Sequence, residues 1–302
     1  MKKYAVIDLG TNTFHLLIAT PNGQGGWVER SRERIYVKLA EEGIDRIGDA
    51  AFDRALAALE RFRQELDANE ILPNAVRAYG TAALRTARNG QAFLDEAFVR
   101  TGLQIELIDG QREAQLIFKG VRQAVPFPDN RVLVMDIGGG SVEMVLALGD
   151  TILWQQSFPV GVALLFQYFH HSDPITEKEI AAVEHHLDNT LAELWQALEL
   201  HSVPTLVGAA GAFDTIDHLL LDPASKHPLY GRVTVAAFEN LCNQILQTTL
   251  AEREQMKNLA PERRSMIVVG FILIRHIIRR GNMREILTSV YSMKDGMLAE
   301  MI

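Results

Sequence analysis

Residues Arg131 to Gly149 read RVLVMDIGGGSVEMVLALG. The stretch begins with a short apolar run, typical of a buried strand, and the run ends at Asp136. The glycines Gly138 to Gly140 follow, and such residues can adopt positive φ and direct consecutive N–H groups at an anion. Ser141 adds a hydroxyl donor, and the next residues predict a returning strand that carries Glu143. The sequence therefore predicts a β-hairpin with two carboxylates beside an anion-binding turn.

The two carboxylates of this hairpin indicate a metal ion. A carboxylate next to a bound phosphate repels it unless a cation stands between them, and Mg²⁺ with oxygen ligands is the usual solution. Asp136 and Glu143 are therefore the predicted ligands of Mg²⁺, with Mn²⁺ as an alternative. The residues alone leave open an ordinary glycine-rich hairpin whose acidic side chains are solvated.

A second stretch, near the N-terminus, repeats this order. An apolar run that begins at Tyr4 leads into Asp8, and a turn with Thr11, Asn12 and Thr13 precedes another apolar run. The two aspartates are 136 − 8 = 128 residues apart, which is close to one domain length. We therefore predict two similar halves that face each other across a cleft, each with a hydroxyl-bearing turn. A P-loop is not the competing interpretation, because the sequence has no GxxxxGK[ST] pattern.

Paired hairpins of this kind resemble the actin-like phosphotransfer superfamily, which holds nucleotide or phosphate between two domains. The implied fold class is α/β, with two ribonuclease-H-like (actin-like ATPase superfamily) domains facing across a cleft. The predicted N-terminal domain covers residues 1–125 and the C-terminal domain covers 126–302. The segment Val125 to Asn130 is the predicted linker, because its two prolines interrupt regular structure.

Composition limits the classes of protein that this chain can belong to. With 302 residues, 48% of them apolar, the chain has room for two folded domains and is not disordered. A net charge of −8 argues against a general nucleic-acid or membrane binder. The single Cys242 excludes an intramolecular disulfide, and no signal-peptide-like or membrane-spanning apolar run is present. We expect a cytoplasmic protein with no nucleic-acid or membrane partner.

Four sequence motifs indicate which protein family the chain resembles. They are DLGTNTFHLLI from Asp8, YGTAALRTARN from Tyr79, DGQREAQLIFKGV from Asp109 and MDIGGGSVEMV from Met135. Together they resemble the exopolyphosphatase and guanosine pentaphosphate phosphohydrolase (Ppx/GppA) family over nearly the whole chain. The resemblance implies hydrolysis of a terminal phosphoanhydride, with polyphosphate or guanosine penta- or tetraphosphate as partner. It leaves a homodimer open, and it implies that the extra C-terminal domains of longer relatives are missing here.

The resemblance also assigns roles to individual residues. Glu113 matches the acid that serves the family as general base, and its place early in a helix after Asp109 suits a carboxylate that orients or deprotonates a water. Arg85 matches an arginine that can clamp phosphate oxygens. Without the resemblance, Glu113 could be a solvated glutamate near a helix N-terminus, and Arg85 could be a surface arginine.

The implied site draws residues from both halves. It comprises the catalytic residue Glu113, the phosphate-binding residues Asp8, Thr11, Asn12, Thr13, Arg85, Gly138, Gly139, Gly140 and Ser141, and the metal ligands Asp136 and Glu143.

Several positions depart from the family pattern. Leu164 replaces a basic residue, Gly211-Ala212 replaces Gly-Thr, Lys38-Leu39-Ala40 replaces Arg-Leu-Gly, and Lys294 and Asp295 replace an arginine and a glutamate. Fewer donors for phosphate imply a preference for short chains or for the terminal phosphate of a nucleotide. Two other functions stay open: a catalytically weak phosphate or nucleotide sensor of the same fold, and a phosphotransferase related to acetate or sugar kinases.

Overall fold

The computed structural model describes residues 2–23 and 25–302 and contains two separate β-sheets. The chain divides into two compact units. Unit 1 comprises Met1–Gly120 and Met293–Ile302, and unit 2 comprises Val121–Ser292. No helix among the described residues combines the length and the apolar character that crossing a bilayer requires.

Unit 1 is built on a five-stranded sheet with strand order β3-β2-β1-β4-β5. Its strands are β1 (Tyr4–Leu9), β2 (Thr13–Pro21), β3 (Trp27–Tyr36), β4 (Val76–Gly80) and β5 (Ile105–Leu107). Its helices are α1 (Asp49–Ala68), α2 (Ala82–Thr86), α3 (Gly90–Thr101), α4 (Gly110–Ala124), which continues into unit 2, and the last helix of the chain, α12 (Met293–Ala299).

Unit 2 is built on a six-stranded sheet with strand order β10-β11-β9-β6-β7-β8. Its strands are β6 (Arg131–Ile137), β7 (Val142–Leu148), β8 (Thr151–Phe158), β9 (Thr205–Ala209), β10 (Tyr230–Thr234) and β11 (Glu285–Ser289). Its helices are α5 (Val162–Phe169), α6 (Glu177–Thr190), α7 (Ala192–Leu200), α8 (Gly211–Leu220), α9 (Val235–Leu246), α10 (Leu250–Glu254) and α11 (Ile267–Arg280).

The two sheets share one topology. The order β8-β7-β6-β9-β11 in unit 2 repeats the order β3-β2-β1-β4-β5 in unit 1, with the same strand directions. In each sheet an antiparallel meander of three strands is followed by two parallel strands that are reached through helices. This is the ribonuclease-H-like arrangement, so the predicted fold class is confirmed. The additional edge strand β10 was not predicted, because its five residues run directly into α9.

The division of the chain differs from the predicted domains in two respects. The boundary lies at Gly120, inside α4, whereas the prediction placed it at residue 125. Residues 293–302, which the sequence analysis assigned to the second domain, belong to unit 1. The reason is a long-range contact, because α12 packs against β1 and Glu300 forms ion pairs with residues of β4 and α4. Such contacts leave no signature in the local sequence pattern.

The start of α6 is held by a dense set of hydrogen bonds. Thr176 and Glu179 form a capping box, in which the Glu179 N–H donates to the Thr176 hydroxyl at 3.3 Å and the Glu179 carboxylate accepts from the Thr176 N–H at 2.8 Å. The same carboxylate accepts from the N–H groups of His171 and Ser172 at 2.8 and 2.9 Å. Burial favours a higher pKa for Glu179, but these hydrogen bonds outweigh it and lower the pKa to about 2.

We expect Glu179→Gln to destabilise unit 2 in a pH-dependent way. At neutral pH the free energy of unfolding should fall by about 1 kcal/mol, as for other helix caps, which corresponds to a fall in Tm of about 2–4 °C. Because the pKa of the folded state lies below the ordinary value of 4.5, the difference between wild type and variant should be constant above that value and shrink as the pH falls towards 2. Calorimetry of both proteins at pH 7, 4 and 3 measures this difference in stability. Glu177→Gln, an exposed acid in the same helical turn, is the matched control, and a difference that does not vary with pH would contradict the assignment.

Candidate active site

The turn between β1 and β2 has a defined polarity. The Gly10 N–H donates to the Thr13 carbonyl at 3.2 Å, which closes the turn. The carbonyls of Thr11 and Asn12 accept N–H groups from the segment Val37–Leu39 at 2.8 to 3.1 Å. Because N–H and C=O point in opposite directions in a trans peptide, the next N–H groups, those of Asn12 and Thr13, point away from that segment. Two successive N–H groups with a common direction form a concavity suited to an anion.

Asp8 lies at the end of β1 that leads into this turn. It is half-buried and directly opposite His15 on β2 and Tyr79 on β4. Residues directly opposite each other on neighbouring strands project from the same face of the sheet. Unit 1 therefore places one carboxylate, one imidazole and one phenol on the same face beside the turn.

Glu113 and Arg85 lie together in unit 1. Glu113 is in the first turn of α4, and the Asp109 carboxylate fixes the start of this helix by accepting the Arg112 N–H at 2.7 Å. The Glu113 side chain is only 10% exposed, and its Oε2 is 3.9 Å from Nη1 of Arg85. The same Arg85 nitrogen donates to the Ile108 carbonyl. A mostly buried carboxylate next to one oriented guanidinium has the geometry of a base whose direction is fixed.

The two acids of unit 2 occupy neighbouring positions. Asp136 on β6 is directly opposite Glu143 on β7, as the hairpin predicted. Both side chains therefore lie on the same face of the sheet, about 4.5–5.5 Å apart at their Cβ atoms. Glu143 is 2% exposed, and the Ser157 hydroxyl donates to its Oε1 at 2.7 Å. The orientation of Glu143 is thus set by a residue of β8.

The carboxylate pair fits Mg²⁺. Two carboxylates held side by side in a largely buried place repel each other, and a cation relieves the repulsion. Within the residues that the structure describes, no group of three or more His, Cys, Asp or Glu side chains is placed to hold a metal. Mg²⁺ does not need such a cage, because it usually combines one or two carboxylates with water and substrate phosphates. The hard oxygen donors of Asp136 and Glu143 match this requirement and also suit Mn²⁺.

The glycine-rich turn between β6 and β7 does not use the left-handed conformations that glycine allows. Gly138, Gly139 and Gly140 can adopt positive φ, but none of the three does so. A hydrogen bond from the Gly138 N–H to the Ser141 carbonyl at 2.9 Å closes the turn without a left-handed residue. The turn thus has the same closing bond as its counterpart in unit 1. Ser141 is buried at the start of β7.

The start of α5 determines which way this turn faces. The first two N–H groups of α5 donate to the carbonyls of Gly138 and Gly139 at 3.0 and 2.9 Å. The N–H groups of Gly139 and Gly140 therefore point away from α5. Gly161 permits this close approach, because a Cβ there would lie 2.2 Å from the Gly139 carbonyl oxygen. The turn of unit 2 thus also directs two successive N–H groups to one side.

Arg263 is a residue that the sequence analysis missed. After β9, Ala210 and Gly211 adopt φ of 55° and 46° and turn the chain into α8. A Cβ on Gly211 would lie 3.2 Å from the Ile137 carbonyl oxygen and 3.5 Å from Nη1 of Arg263. A guanidinium therefore lies beside the turn in which Ala212 replaces the threonine of the family pattern. The only sequence signal is the pair of arginines before the apolar helix α11.

Comparison with known proteins assigns the family. A model of the Ppx/GppA phosphatase family matches residues 28–302. This chain belongs to the Ppx/GppA phosphatase family. The expected family is thereby confirmed, and with it membership of a group of phosphatases.

Solved structures of this family agree with that assignment. The chain is 35% identical to an exopolyphosphatase from Cytophaga hutchinsonii, with 99% of this chain and 97% of that chain covered and a TM-score of 0.93. An exopolyphosphatase-like protein is 24% identical, with 99% and 97% covered and a TM-score of 0.90. The PPX-GPPA enzyme of Aquifex aeolicus is 23% identical, with 99% of both chains covered and a TM-score of 0.80. The last two likenesses concern the fold.

In this Ppx/GppA protein the predicted site residues are divided between the units. Unit 1 holds Asp8, Thr11, Asn12, Thr13, Arg85 and Glu113, and unit 2 holds Asp136, Gly138, Gly139, Gly140, Ser141 and Glu143. Within unit 1 the structure brings Arg85 and Glu113 together, and within unit 2 it brings Asp136 and Glu143 together. Leu164 is half-buried on α5 and Ala212 is buried. Both side chains are apolar, so neither position presents a cation.

Proposed function

We propose that this protein is a Mg²⁺-dependent phosphoanhydride hydrolase that releases terminal phosphate from inorganic polyphosphate, with short chains favoured, or from pppGpp. The observation that carries the proposal is the hairpin of unit 2, where the Asp136–Glu143 carboxylate pair adjoins the aligned N–H groups of Gly139 and Gly140. One feature suits a divalent cation and the other a phosphate group. The exopolyphosphatase from Cytophaga hutchinsonii, at 35% identity, lends further support.

Each unit has a distinct task in this proposal. The N–H groups of both turns and the Arg85 guanidinium bind phosphate oxygens. Glu113 orients a water and accepts its proton as the water oxygen attacks the terminal phosphorus. The P–O bond to the bridging oxygen breaks, which yields inorganic phosphate and a chain shorter by one unit. Asp136 and Glu143 would hold Mg²⁺, whose positive charge would offset the negative charge of the phosphates.

The preference for short chains rests on charge. Polyphosphate carries negative charge on every unit, and a protein of net charge −8 holds it only where cations are gathered. Leu164 and Ala212 are uncharged, so two positions in unit 2 contribute no cation. Arg263 supplies one cation nearby, which suits a terminal phosphate better than a long chain. We therefore expect distributive release with a shallow salt dependence of binding.

A catalytically weak phosphate or nucleotide sensor is the second candidate. The uncharged residues at positions 164 and 212 favour it, because loss of phosphate donors lowers turnover more than it alters the fold. Phosphate release from polyphosphate of defined lengths and from pppGpp, with Mg²⁺ or with EDTA, separates the two candidates. Binding without release would support the sensor.

The chain-length part of the proposal has its own test. Long-chain polyphosphate is digested and its length is followed on a gel over time. Distributive release should produce a gradually shortening population. If long chains disappear to free phosphate without intermediates, the enzyme is processive and this part of the proposal is refuted.

A further inference from the structure

Three cations of unit 1 surround a single carboxylate near the C-terminus. Glu300 Oε1 is 3.0 Å from Nη1 of Arg112 and 3.5 Å from Nζ of Lys119, and its Oε2 is 4.0 Å from Nη1 of Arg77. A second bond joins Glu300 Oε2 to Nη2 of Arg112, which makes that pair bidentate. We call these four residues the Glu300 cluster.

The Glu300 cluster has a surplus of positive charge. Three cations and one carboxylate leave a net charge of +2 in a protein whose total is −8. The cationic side chains are 35 to 45% exposed, whereas the Glu300 side chain is 18% exposed. Burial favours a higher pKa for Glu300, but Arg112 and Lys119 outweigh it, so the pKa is lowered and the group is ionised at neutral pH. Accessible cations are thus gathered around an internal anion.

The cluster is continuous with the candidate site in unit 1. Arg112 directly precedes Glu113 on α4. Arg77 lies two residues before Tyr79 on β4, so the two side chains share one face of the sheet, and Tyr79 is directly opposite Asp8. Two residues along a strand correspond to about 7 Å. Arg77 therefore lies one strand repeat from Tyr79, the residue directly opposite Asp8.

We propose that Arg77, Arg112 and Lys119 form a subsite for phosphate groups other than the one that is hydrolysed, and that Glu300 occupies this subsite as a competing anion. The ligand is a second phosphate-bearing group of the substrate. It is either the further units of a linear oligophosphate or the phosphate group of guanosine pentaphosphate (pppGpp) that is not hydrolysed. This inference rests on the proposed function for the identity of that substrate. Glu300 then sets how strongly the protein holds all but the terminal phosphate.

The proposal predicts a gain of affinity on removal of a charge. Glu300→Gln frees the three cations, so medium-chain polyphosphate should bind about three- to tenfold more tightly, with a steeper dependence on salt. Inorganic phosphate should gain less affinity than medium-chain polyphosphate, because one phosphate group cannot occupy the terminal site and the subsite at once. The double variant Arg77→Gln/Lys119→Gln should weaken binding of medium-chain polyphosphate by a similar factor. Binding is measured by competition with a fluorescent polyphosphate at several salt concentrations.

A matched control separates the cluster from overall charge. Glu33→Gln also removes one negative charge from unit 1 and releases Arg61, with which Glu33 forms an exposed pair at 3.0 Å. If this variant gains as much affinity as Glu300→Gln, the effect is one of net charge and the proposal is overturned. Unchanged or weaker polyphosphate binding by folded Glu300→Gln also overturns it. Thermal unfolding of each variant establishes that it is folded, and if Glu300→Gln does not fold, unchanged binding by the double variant decides against the subsite.

The same experiments distinguish failure of the subsite from failure of the proposed function. Tighter binding by Glu300→Gln without phosphate release from any substrate would retain the subsite and refute the hydrolase. Phosphate release with no change in binding would retain the hydrolase and refute the subsite. Parallel assays with polyphosphate and pppGpp show which source of the second phosphate group the subsite accepts.

Discussion

Glu113→Gln should reduce turnover about 10²–10⁴-fold while the protein stays folded. The amide has the shape of the carboxylate but cannot accept a proton from water. Because the Glu113 side chain is 10% exposed and starts from the capped first turn of α4, the substitution should leave its position unchanged. Single-turnover phosphate release from polyphosphate measures the chemical step, and binding of the same substrate should change little.

A matched control for this variant is Glu106→Gln. Glu106 is an exposed acid on β5 in the same unit, so its replacement removes the same charge away from Arg85. We expect it to retain full activity. If Glu113→Gln keeps activity within a few-fold of wild type, Glu113 is not the base and the mechanism is wrong.

Asp136→Asn should raise the Mg²⁺ concentration needed for half-maximal activity by at least about 10–100-fold, the range seen when groups that only support metal ligands are removed. The asparagine amide has no negative charge, so it neither repels phosphate nor attracts the cation. Titration of activity with Mg²⁺ measures the shift. Ser157→Ala, which removes the 2.7 Å hydrogen bond to Glu143, should produce a smaller shift in the same direction.

The control here is Asp129→Asn, which alters an exposed acid in the turn before β6. Its Mg²⁺ dependence should match that of wild type. Full activity of the unmodified protein in EDTA would show that no divalent cation takes part. Identical Mg²⁺ titrations for wild type and Asp136→Asn would remove Asp136 from the set of ligands.

The hairpins could be predicted because their evidence is local. A strand, an aspartate, a glycine and a hydroxyl lie in sequence order, and period-two alternation then places Glu143 opposite Asp136. The turn conformation could not be predicted in the same way. It depends on N–H groups of α5, which lie more than twenty residues further along the chain, and these bind carbonyls of Gly138 and Gly139.

Long-range contacts also explain the other failures of prediction. Arg263 lies beside the turn in which Ala210 and Gly211 adopt positive φ, and an alanine gives no warning of such a conformation. Residues 293–302 were assigned to the wrong half because their packing on β1 joins the two ends of the chain. The roles of individual site residues came from family resemblance, and they remain predictions that the variants above test.

The shared topology of the two sheets allows the two hairpins to be compared position by position. The offset that relates Asp8 to Asp136 also relates His15 to Glu143, since 143 − 15 = 128. Each pair lies directly opposite across its hairpin, yet one copy has two acids and the other has an acid and an imidazole. At these matched positions the two hairpins therefore differ in chemistry, and only the hairpin of unit 2 has a pair of carboxylates. Under the proposed function, the repeated topology therefore supplies one pair of carboxylate ligands for a cation and not two.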